Sequence, residues 1–323
     1  MSLNRTMTQL VPDTEPRSLQ VGPYDGIILI DKEAGKTSFS VVKELRGILK
    51  IKKIGHAGTL DPFATGLLVI LLGQGTKLFP YLLSGKKVYR ATLRLGVETD
   101  TKDPTGRIIQ TRSVPKFEHT YINEKIREFI GEIEQVPPVF SAIKYRGKKA
   151  YEFARKGIKI EMEKRRVHIH DIKIISLDLP DVVLEISCSS GTYIRSFAAD
   201  LGEKLGTGAY LITLRRLSSG PFTVKDALDL KYSGMADSHT HFPDKIISLR
   251  EALPEMREKE IDAPMAHKIR KGYQPGCDEV LSHSDFYEGY IKLVKDRELV
   301  AIMNVRHIKG DDGGWSKIMR VFY

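Results

Sequence analysis

One short stretch of the sequence combines groups able to do chemistry with glycines that would let a substrate approach the backbone. Residues 55–66 read GHAGTLDPFATG, with one histidine, one carboxylate and three glycines directly before the apolar run Leu67–Leu72. Glycine accepts backbone conformations closed to other residues, and Pro62 favours an extended conformation for Asp61. The pattern predicts a catalytic loop, leading into a buried strand, in which Asp61 acts as a nucleophile or a proton-transfer group.

The same residues also fit a purely structural role. An Asp-Pro pair flanked by glycines is an ordinary turn signal in protein chains. This stretch by itself therefore leaves the catalytic and the turn interpretations open, and other parts of the chain have to decide between them.

The stretch from His56 to Leu68 resembles the central motif of the TruB family of pseudouridine synthases, in which the aspartate is the catalytic residue. Two positions depart from the family pattern, because Glu33 stands where proline is usual and Ala57 stands where threonine or serine is common. Four further blocks match the family in the same order along the chain, and these are Asp31–Ser38, Lys87–Arg90, Val136–Gly157 and Gly191–Leu217. Five ordered motifs are more specific than any one of them alone.

The resemblance implies a reaction and a set of site residues. The reaction is the isomerisation of uridine to pseudouridine in RNA, at uridine 55 in the T loop of tRNA, with the target base flipped into a pocket. No atom or electron enters from outside, so no cofactor is expected. Asp61 is then the catalytic carboxylate, Arg195 its ionic partner and Tyr89 a further catalytic side chain. The residues expected to bind RNA are His56, Tyr193, Lys32, Arg90, Lys144, Lys148, Lys149, Leu214 and Arg215.

The charge of the chain points to the same class of partner. The formal net charge is +10, with an isoelectric point near 9.3. Residues 246–323 hold 13 basic and 13 acidic side chains, so the whole excess lies before residue 246. Such an excess favours a polyanion through long-range attraction and counterion release. A basic protein without a nucleic-acid partner stays open on charge alone.

Within that basic region, residues 137–166 stand out. They carry ten basic and three acidic side chains, interleaved with four aromatic residues, Phe140, Tyr145, Tyr151 and Phe153. Basic groups neutralise phosphates and aromatic rings stack on exposed bases, so the segment is typical of an RNA-gripping element. The family has a thumb-like loop at the corresponding place. The alternative to an RNA-binding element is a charged surface that contacts only solvent.

Other classes of function find less support. The run Gly35–Ser38 looks like the end of a phosphate-binding P-loop, but that motif needs a glycine where Ile30 stands, which argues against a nucleotide hydrolase. The pairs His168–His170 and His239–His241 lack a third ligand, so no metal is predicted. A non-catalytic RNA-binding or RNA-folding protein stays the alternative, although it would not need Asp61 and Arg195 together.

The composition of the chain indicates the environment in which we expect the protein to work. The chain is 41% hydrophobic and 28% charged, and its longest apolar run has the length of a strand rather than a membrane span. Two cysteines form no disulfide framework, and no signal peptide is recognisable at the N-terminus. We expect a monomer in the cytoplasm that binds the T arm of tRNA and does not contact a membrane.

Local patterns predict the elements that position the site. We expect a strand at Gly26–Ile30, a helix that begins at Ser38 as N-cap and a helix at Asn123–Ile133. Val88–Val97 reads as a strand with Val88, Leu93, Leu95 and Val97 on one face and Arg90, Thr92 and Arg94 on the other. A strand at Val182–Cys188 leads into a helix that carries Tyr193 and Arg195 in its first turn.

Together these elements predict an α+β fold with a mixed, largely antiparallel sheet flanked by helices. We expect a mobile tail at residues 1–20, a catalytic domain at 21–232, a linker at 233–245 and a small β-rich, PUA-like domain at 246–323. In the last domain we expect a helix at Leu249–Glu258 and strands at Tyr290–Val294, Leu299–Val305 and Met319–Tyr323. Because the linker is polar, the catalytic domain is expected to fold without the last one.

Overall fold

The computed structural model describes residues 24–230, 242–281, 287–306 and 315–323. The predicted tail, most of the predicted linker and the pair His239–His241 lie outside these ranges. The α-helices of the described chain are α1 (Ser38–Leu49), α2 (Phe79–Leu83), α3 (His119–Arg127), α4 (Ala150–Arg155), α5 (Ile194–Lys204), α6 (Ala263–Arg270) and α7 (Cys277–Val280).

The strands fall into two regions. Those of the first region are β1 (Gly26–Lys32), β2 (Ile54–His56), β3 (Thr65–Leu72), β4 (Lys87–Leu95), β5 (Val97–Thr99), β6 (Ile108–Thr111), β7 (Gly131–Gln135), β8 (Lys144–Tyr145), β9 (Lys148–Lys149), β10 (Arg165–Asp178), β11 (Asp181–Cys188), β12 (Ala209–Ser219) and β13 (Phe222–Thr223). Those of the second are β14 (Glu258–Glu260), β15 (Gly289–Lys295), β16 (Glu298–Arg306) and β17 (Trp315–Val321).

The main sheet has nine strands in the order β1-β3-β12-β4-β11-β10-β7, with β2 added to β3 and β13 added to β12. Its strand pairs are antiparallel except for β3 and β12, which run parallel where Thr65 meets Arg215 and Gly66 meets Arg216. The predicted α+β class with a mixed, largely antiparallel sheet is confirmed. The parallel pair brings the end of the Asp61 loop beside the two arginines of β12.

The apolar run of β3 is buried on both faces. Leu67, Val69 and Leu71 pack in one cluster of buried side chains, while the alternate residues pack against the apolar face of α1. Helix α1 is capped by Thr37, whose side chain accepts a hydrogen bond from the backbone N–H of Ser40. The predicted cap at Ser38 is therefore off by one residue.

Strand β4 shows where the predicted alternation is right and where it is wrong. Its buried face consists of Tyr89, Ala91, Leu93 and Leu95, so Val88 lies on the same side as Arg90. Gly96, with φ of +83°, ends the strand, and Val97 belongs to β5. The buried face packs against α3 and α5, where it forms the largest apolar cluster near the site.

The predicted helix Asn123–Ile133 is wrong at both ends. Helix α3 begins at His119 and ends at Arg127, and Ile133 lies in β7. Gly131 adopts a φ of +108°, a conformation that ends helical structure, and the following residues pair with β10 instead. Long-range strand pairing thus overrides the helical spacing of the apolar residues.

The last 78 residues contain the predicted strands but not the predicted helix. The strands Tyr290–Val294 and Leu299–Val305 lie within β15 and β16, whereas the third strand is earlier than predicted, at Trp315–Val321. Leu249–Glu258 forms turns rather than a helix, since Pro254 stands in the middle of it and cannot continue a helix.

One buried cluster joins the two regions. Leu249, Leu253 and Phe322 pack against Leu67 and Val69 of β3, together with further residues of β1, β15 and β16. The backbones of Ile27 and Ile247 also exchange two hydrogen bonds of 2.9 Å. The two regions therefore share one buried cluster, while the second region also has a cluster of its own. The boundaries 21–232 and 246–323, and the expectation that the catalytic domain folds without the last domain, stay predictions.

The shared cluster predicts a stability effect. Phe322 is 1% exposed, and Phe322→Ala should lower the free energy of unfolding by about 3–5 kcal/mol because it leaves a cavity between the two regions. Urea unfolding would measure the change in the free energy of unfolding, and amide hydrogen exchange would show whether β3 and β16 lose protection together. Trp315→Ala, at an exposed aromatic residue, is the control and should cost less than about 1 kcal/mol. Weakened protection in β16 with unchanged protection in β3 would show that the cores are independent.

Candidate active site

The loop that carries Asp61 is held by contacts from the segment before α1. The side chain of Ser38 is buried, and its hydroxyl accepts a 2.9 Å hydrogen bond from the backbone N–H of Leu60. The N–H of Gly35 donates to the carbonyl of Pro62 at 2.8 Å. The loop is therefore held on both sides of Asp61 by contacts that the spacing of its glycines and proline did not predict.

Lys32 belongs to the same set of contacts. It is 1% exposed, and its ammonium group donates to the carbonyls of Glu33, Lys36 and Pro62 at 2.7 to 3.3 Å. Burial lowers the pKa of this ammonium group to about 8, and the nearby Asp61 opposes that shift. These contacts make Lys32 a positioning residue for the loop, and a direct contact with RNA stays a prediction.

Arg216 supports the loop from the other side. Its side chain is buried, with Nε donating to the carbonyl of Leu67 at 2.6 Å and Nη2 donating to that of Gly58 at 3.1 Å. Gly66 is required next to it, because a Cβ atom there would lie 2.3 Å from the carbonyl oxygen of Arg216. The sequence shows two adjacent arginines, but consecutive strand residues point to opposite faces, so only one of them can be buried.

The centre of the site is the contact between Asp61 and Arg195. Nη2 of Arg195 donates to Oδ1 of Asp61 at 2.9 Å, and its Nε lies 2.9 Å from Oδ2 in an ion-pair contact. Arg195 is 2% exposed, whereas the side chain of Asp61 is 28% exposed and faces a cavity. The predicted pair is thus close in space, with the arginine inside and the carboxylate accessible.

Asp103 is a second carboxylate on the same guanidinium group, and the sequence interpretation missed it. Nη1 of Arg195 donates to Oδ2 of Asp103 at 3.1 Å, and the remaining donors reach the carbonyls of Thr101 and Phe140. Oδ1 of Asp103 accepts from the hydroxyl of Thr101 and the N–H of Thr105. In the sequence Asp103 is part of an Asp-Pro-Thr-Gly turn signal, which hides its contact with a distant residue.

The electrostatic environment of Asp61 contains opposing contributions. Burial raises its pKa above the ordinary value of 3.8, and the neighbouring Asp103 acts in the same direction. The guanidinium group of Arg195 and the ammonium group of Lys32 lower it. The two cations therefore favour the ionised carboxylate that burial disfavours.

A cavity of about 290 Å³ opens in front of Asp61. Tyr89, Tyr193 and Leu214 line it together with Arg195, as the predicted site requires. The backbone of Tyr193 exchanges two hydrogen bonds with the side chain of Gln135, at 2.8 and 3.0 Å, which fixes the residue before α5. Burial raises the pKa of both tyrosine hydroxyls, so the two rings are neutral at neutral pH.

Several predicted RNA-binding residues lie away from this cavity. His56 is half-buried in β2, where burial lowers its pKa. Arg90 pairs with Glu185 at 3.2 Å, and Arg215 forms two hydrogen bonds with Asp31 at 3.0 and 2.5 Å. The three predicted lysines, Lys144, Lys148 and Lys149, are exposed on the short hairpin of β8 and β9.

Two further observations concern other kinds of site. The rings of His168 and His170 lie 4.7 Å apart, and within residues 24–230 and the later described ranges no third metal-binding group joins them. None of the helices in those ranges has the length and apolar character needed to cross a membrane.

Comparison with known proteins identifies the family. A family model described as the N-terminal domain of TruB family pseudouridylate synthases matches residues 46–194. A second model, for the C-terminal domain of tRNA pseudouridylate synthase B, matches residues 195–252. The chain belongs to the TruB family of pseudouridine synthases.

Two relatives with high identity to this chain are both named tRNA pseudouridine synthase B. A protein of Geobacter sulfurreducens named tRNA pseudouridine synthase B is 43% identical over 80% of this chain and 85% of its own length. One of Syntrophus aciditrophicus with the same name is 38% identical over 93% of this chain and 92% of its own length. A solved structure of a Cbf5-Nop10-Gar1 complex contains a chain with the same fold, with a TM-score of 0.70, 24% identity, and coverage of 93% of this chain and 85% of that one.

The geometry of Arg195 predicts a graded effect of its replacement. Arg195→Lys keeps a charge but loses the planar fork that reaches both carboxylates, and Arg195→Met loses both, so single-turnover activity should fall in the order arginine, lysine, methionine. Arg195→Met should also destabilise the fold by about 3–5 kcal/mol, since the buried Asp103 and the partly exposed Asp61 lose their common partner.

The control is Arg90→Met at an exposed ion pair, which should change stability by less than about 1 kcal/mol. Thermal unfolding and single-turnover rates measure both quantities. Equal activity of the lysine and wild-type proteins would show that the fork geometry is irrelevant.

Proposed function

We propose that this chain converts uridine 55 in the T arm of tRNA to pseudouridine, with Asp61 as the catalytic carboxylate. The observation that carries the proposal is the accessible carboxylate of Asp61 held by the buried Arg195 at the wall of a cavity. Membership of the TruB family and the names of the relatives support the tRNA substrate.

The reaction makes clear what the site has to supply. The bond from N1 of uracil to C1′ of ribose breaks, the base turns, and a new bond forms from C5 to C1′. An ionised carboxylate next to the ribose assists this exchange as nucleophile or proton-transfer partner. Arg195 and Lys32 favour the ionised form of Asp61 against the burial that raises its pKa, and Arg195 fixes the orientation of the carboxylate.

The size of the cavity suits a flipped base. Its 290 Å³ corresponds to roughly ten water volumes of about 30 Å³ each, which is enough for a nucleobase but far too small for a duplex. The target nucleotide therefore has to leave its stack, as in other enzymes that act on a base. Tyr89 and Tyr193 offer aromatic surfaces to the uracil ring inside the cavity.

The basic segment 137–166 is the proposed grip on the RNA backbone. Lys144, Lys148 and Lys149 are exposed, and Lys149 lies 5.6 Å from the centre of the Tyr151 ring. The carbonyl of Phe140, at the beginning of the segment, accepts a hydrogen bond from Arg195. RNA bound to the segment would therefore lie next to the catalytic pair. The cytoplasmic location and the monomeric state stay predictions.

A non-catalytic RNA-binding protein is the second candidate function. It would share the exposed basic segment, but nothing in RNA binding requires an arginine buried between two carboxylates. Such an arrangement costs desolvation energy that phosphate binding alone does not repay. The buried network of Asp61, Arg195 and Asp103 is therefore the feature that favours catalysis.

The role of Asp61 can be tested by removing its charge. Asp61→Asn keeps the shape of the side chain, so folding should stay near normal, and loss of a negative charge near phosphates should leave RNA affinity unchanged or slightly tighter. Pseudouridine formation in an unmodified T-arm stem-loop, assayed without metal or nucleotide, should be abolished. Substantial turnover by Asp61→Asn would show that Asp61 is not the catalytic group, whereas no conversion by the wild-type protein would favour the non-catalytic interpretation.

The grip on RNA predicts a change in salt dependence. Replacing Lys144, Lys148 and Lys149 with alanine should weaken RNA binding, and each lost phosphate contact should flatten the slope of log affinity against log salt by about 0.7–0.9. The matched control replaces three exposed lysines elsewhere, Lys43, Lys116 and Lys225, with alanine. An equal change of slope in both triple variants would mean that the segment makes no specific phosphate contacts.

A further inference from the structure

The cavity in front of Asp61 is lined by three cationic side chains, and they differ in their partners. Arg195 contacts two carboxylates, Asp61 and Asp103. Lys87 and Arg216 also line the cavity and are buried, but in the described part of the chain neither forms an ion pair with a carboxylate. The end of the cavity formed by Lys87 therefore has positive charge that the described protein does not neutralise.

Of these two cations, Lys87 has a hydrogen-bond donor left over for a molecule in the cavity. It is 3% exposed, and its ammonium group donates to the carbonyls of Leu83 at 3.1 Å and Gly85 at 2.8 Å. An ammonium group has three donors, so one remains for the cavity. Arg216 donates to the carbonyls of Leu67 and Gly58, so its position is tied to holding the Asp61 loop.

The surroundings of Lys87 oppose its charge. Burial, followed by the nearby Arg216 on β12, lowers the pKa of Lys87 to about 8. The other titratable groups near it are Cys188 on β11, whose pKa burial raises to about 11, and Tyr89, two residues along the same strand. A buried cation without a negative partner is costly in the free enzyme, and negative charge that appears in the cavity during a reaction would relieve this cost.

We propose that Lys87 is a catalytic residue that stabilises the negative charge developing on the uracil ring as its bond to ribose breaks. When the N1–C1′ bond breaks, its electron pair stays on the base, and the charge spreads over N1, O2 and O4. After the base has turned, C5 bonds to C1′, the proton on C5 is lost and N1 gains a proton, so atoms and charge balance. Lys87 gives up no proton in this scheme and acts as a fixed hydrogen-bond donor to the anionic ring.

The location of Lys87 supports this role over that of a phosphate ligand. Phosphates stay at the surface of an RNA loop and are suited to exposed lysines such as the adjacent Lys86, whereas Lys87 points inward from the next position. Asp61 and Lys87 both line the cavity, so a ribose held near Asp61 would place its base in the cavity that Lys87 also lines. This inference rests on the proposed function of the cavity.

The test compares two leaving groups. The substrates are T-arm stem-loops with uridine or 5-fluorouridine at the target position. Fluorine withdraws electrons, so the anion of 5-fluorouracil is less basic than that of uracil and is a better leaving group. Single-turnover rates at saturating enzyme are measured as loss of the starting nucleoside, by chromatography of the digested RNA, because 5-fluorouridine has no proton on C5 and cannot complete the last step. Lys86→Met, which removes the same charge from an exposed neighbour, is the matched control.

Lys87→Met should slow conversion of uridine by about 100-fold, the usual effect of removing one donor to a developing anion. The loss should be clearly smaller with 5-fluorouridine, and RNA affinity should stay within about threefold of wild type, less than the tenfold that corresponds to 1.4 kcal/mol. Lys86→Met should not change the ratio of the two rates. An equal loss of rate on both substrates would mean that Lys87 only stabilises the turn at Leu83–Gly85. A loss of RNA affinity without a loss of rate would mean that Lys87 binds a phosphate. Either result overturns the proposal.

A second variant covers the event that Lys87→Met does not fold. Arginine stays protonated far above pH 8, so the wild-type rate should fall as pH rises through about 8 while the Lys87→Arg rate should not. Lys32 also has a pKa lowered to about 8, so Lys32→Arg tests whether its titration causes the loss of rate. In this variant the rate should still fall as pH rises through about 8. An alkaline fall that persists unchanged in Lys87→Arg contradicts the proposal. Failure of the proposed function itself is distinguishable, because the wild-type protein would then convert neither substrate, and failure of the role of Asp61 would leave Asp61→Asn active on both.

Discussion

The arrangement of the site depends on one buried guanidinium group shared by two carboxylates. Arg195 can be buried because Asp61, Asp103 and two backbone carbonyls take up its donors. Loss of the guanidinium group itself would leave both carboxylates without their cation, which costs several kcal/mol. The same group joins four separate parts of the chain, namely the Asp61 loop, the turn that contains Asp103, the beginning of α5 and the beginning of the basic segment at Phe140. The geometry around Asp61 and the position of the basic segment 137–166 are therefore coupled.

The cationic side chains of this protein perform different tasks according to their burial. Lys32 and Arg216 are buried and hold the backbone of the Asp61 loop through carbonyl oxygens. Arg90 and Arg215 form ion pairs on the side of the sheet away from the helices. The lysines of the β8–β9 hairpin are exposed and available for phosphates. A high net charge alone does not distinguish these roles, because only the exposed and unpaired part of it acts on a distant polyanion.

An isomerisation needs no external atom or electron, so the protein contributes orientation and electrostatic stabilisation. The cavity is electrostatically asymmetric, with an accessible carboxylate on the catalytic loop and a buried ammonium group at the beginning of β4. A negative group near ribose and positive charge near the base match a reaction in which ribose becomes electron-poor and uracil electron-rich. Because these groups are fixed by backbone hydrogen bonds, little reorganisation is needed during the reaction.

The features that depend on local chemistry are already predictable from the amino-acid sequence. Asp61 in its glycine loop, the buried run Leu67–Leu72 and the position of Arg195 at the beginning of a helix all follow from residue types and spacing. The folded chain was needed to show that Asp103 shares the guanidinium group of Arg195, that Arg216 rather than Arg215 is buried, and that Ile133 lies in a strand. It also shows that Phe322 shares a core with β3, although the polar linker and the neutral charge of residues 246–323 suggested a separate unit. The physical reason is that local patterns determine backbone conformation and alternation, whereas the meeting of distant apolar faces and charges depends on strand order and register.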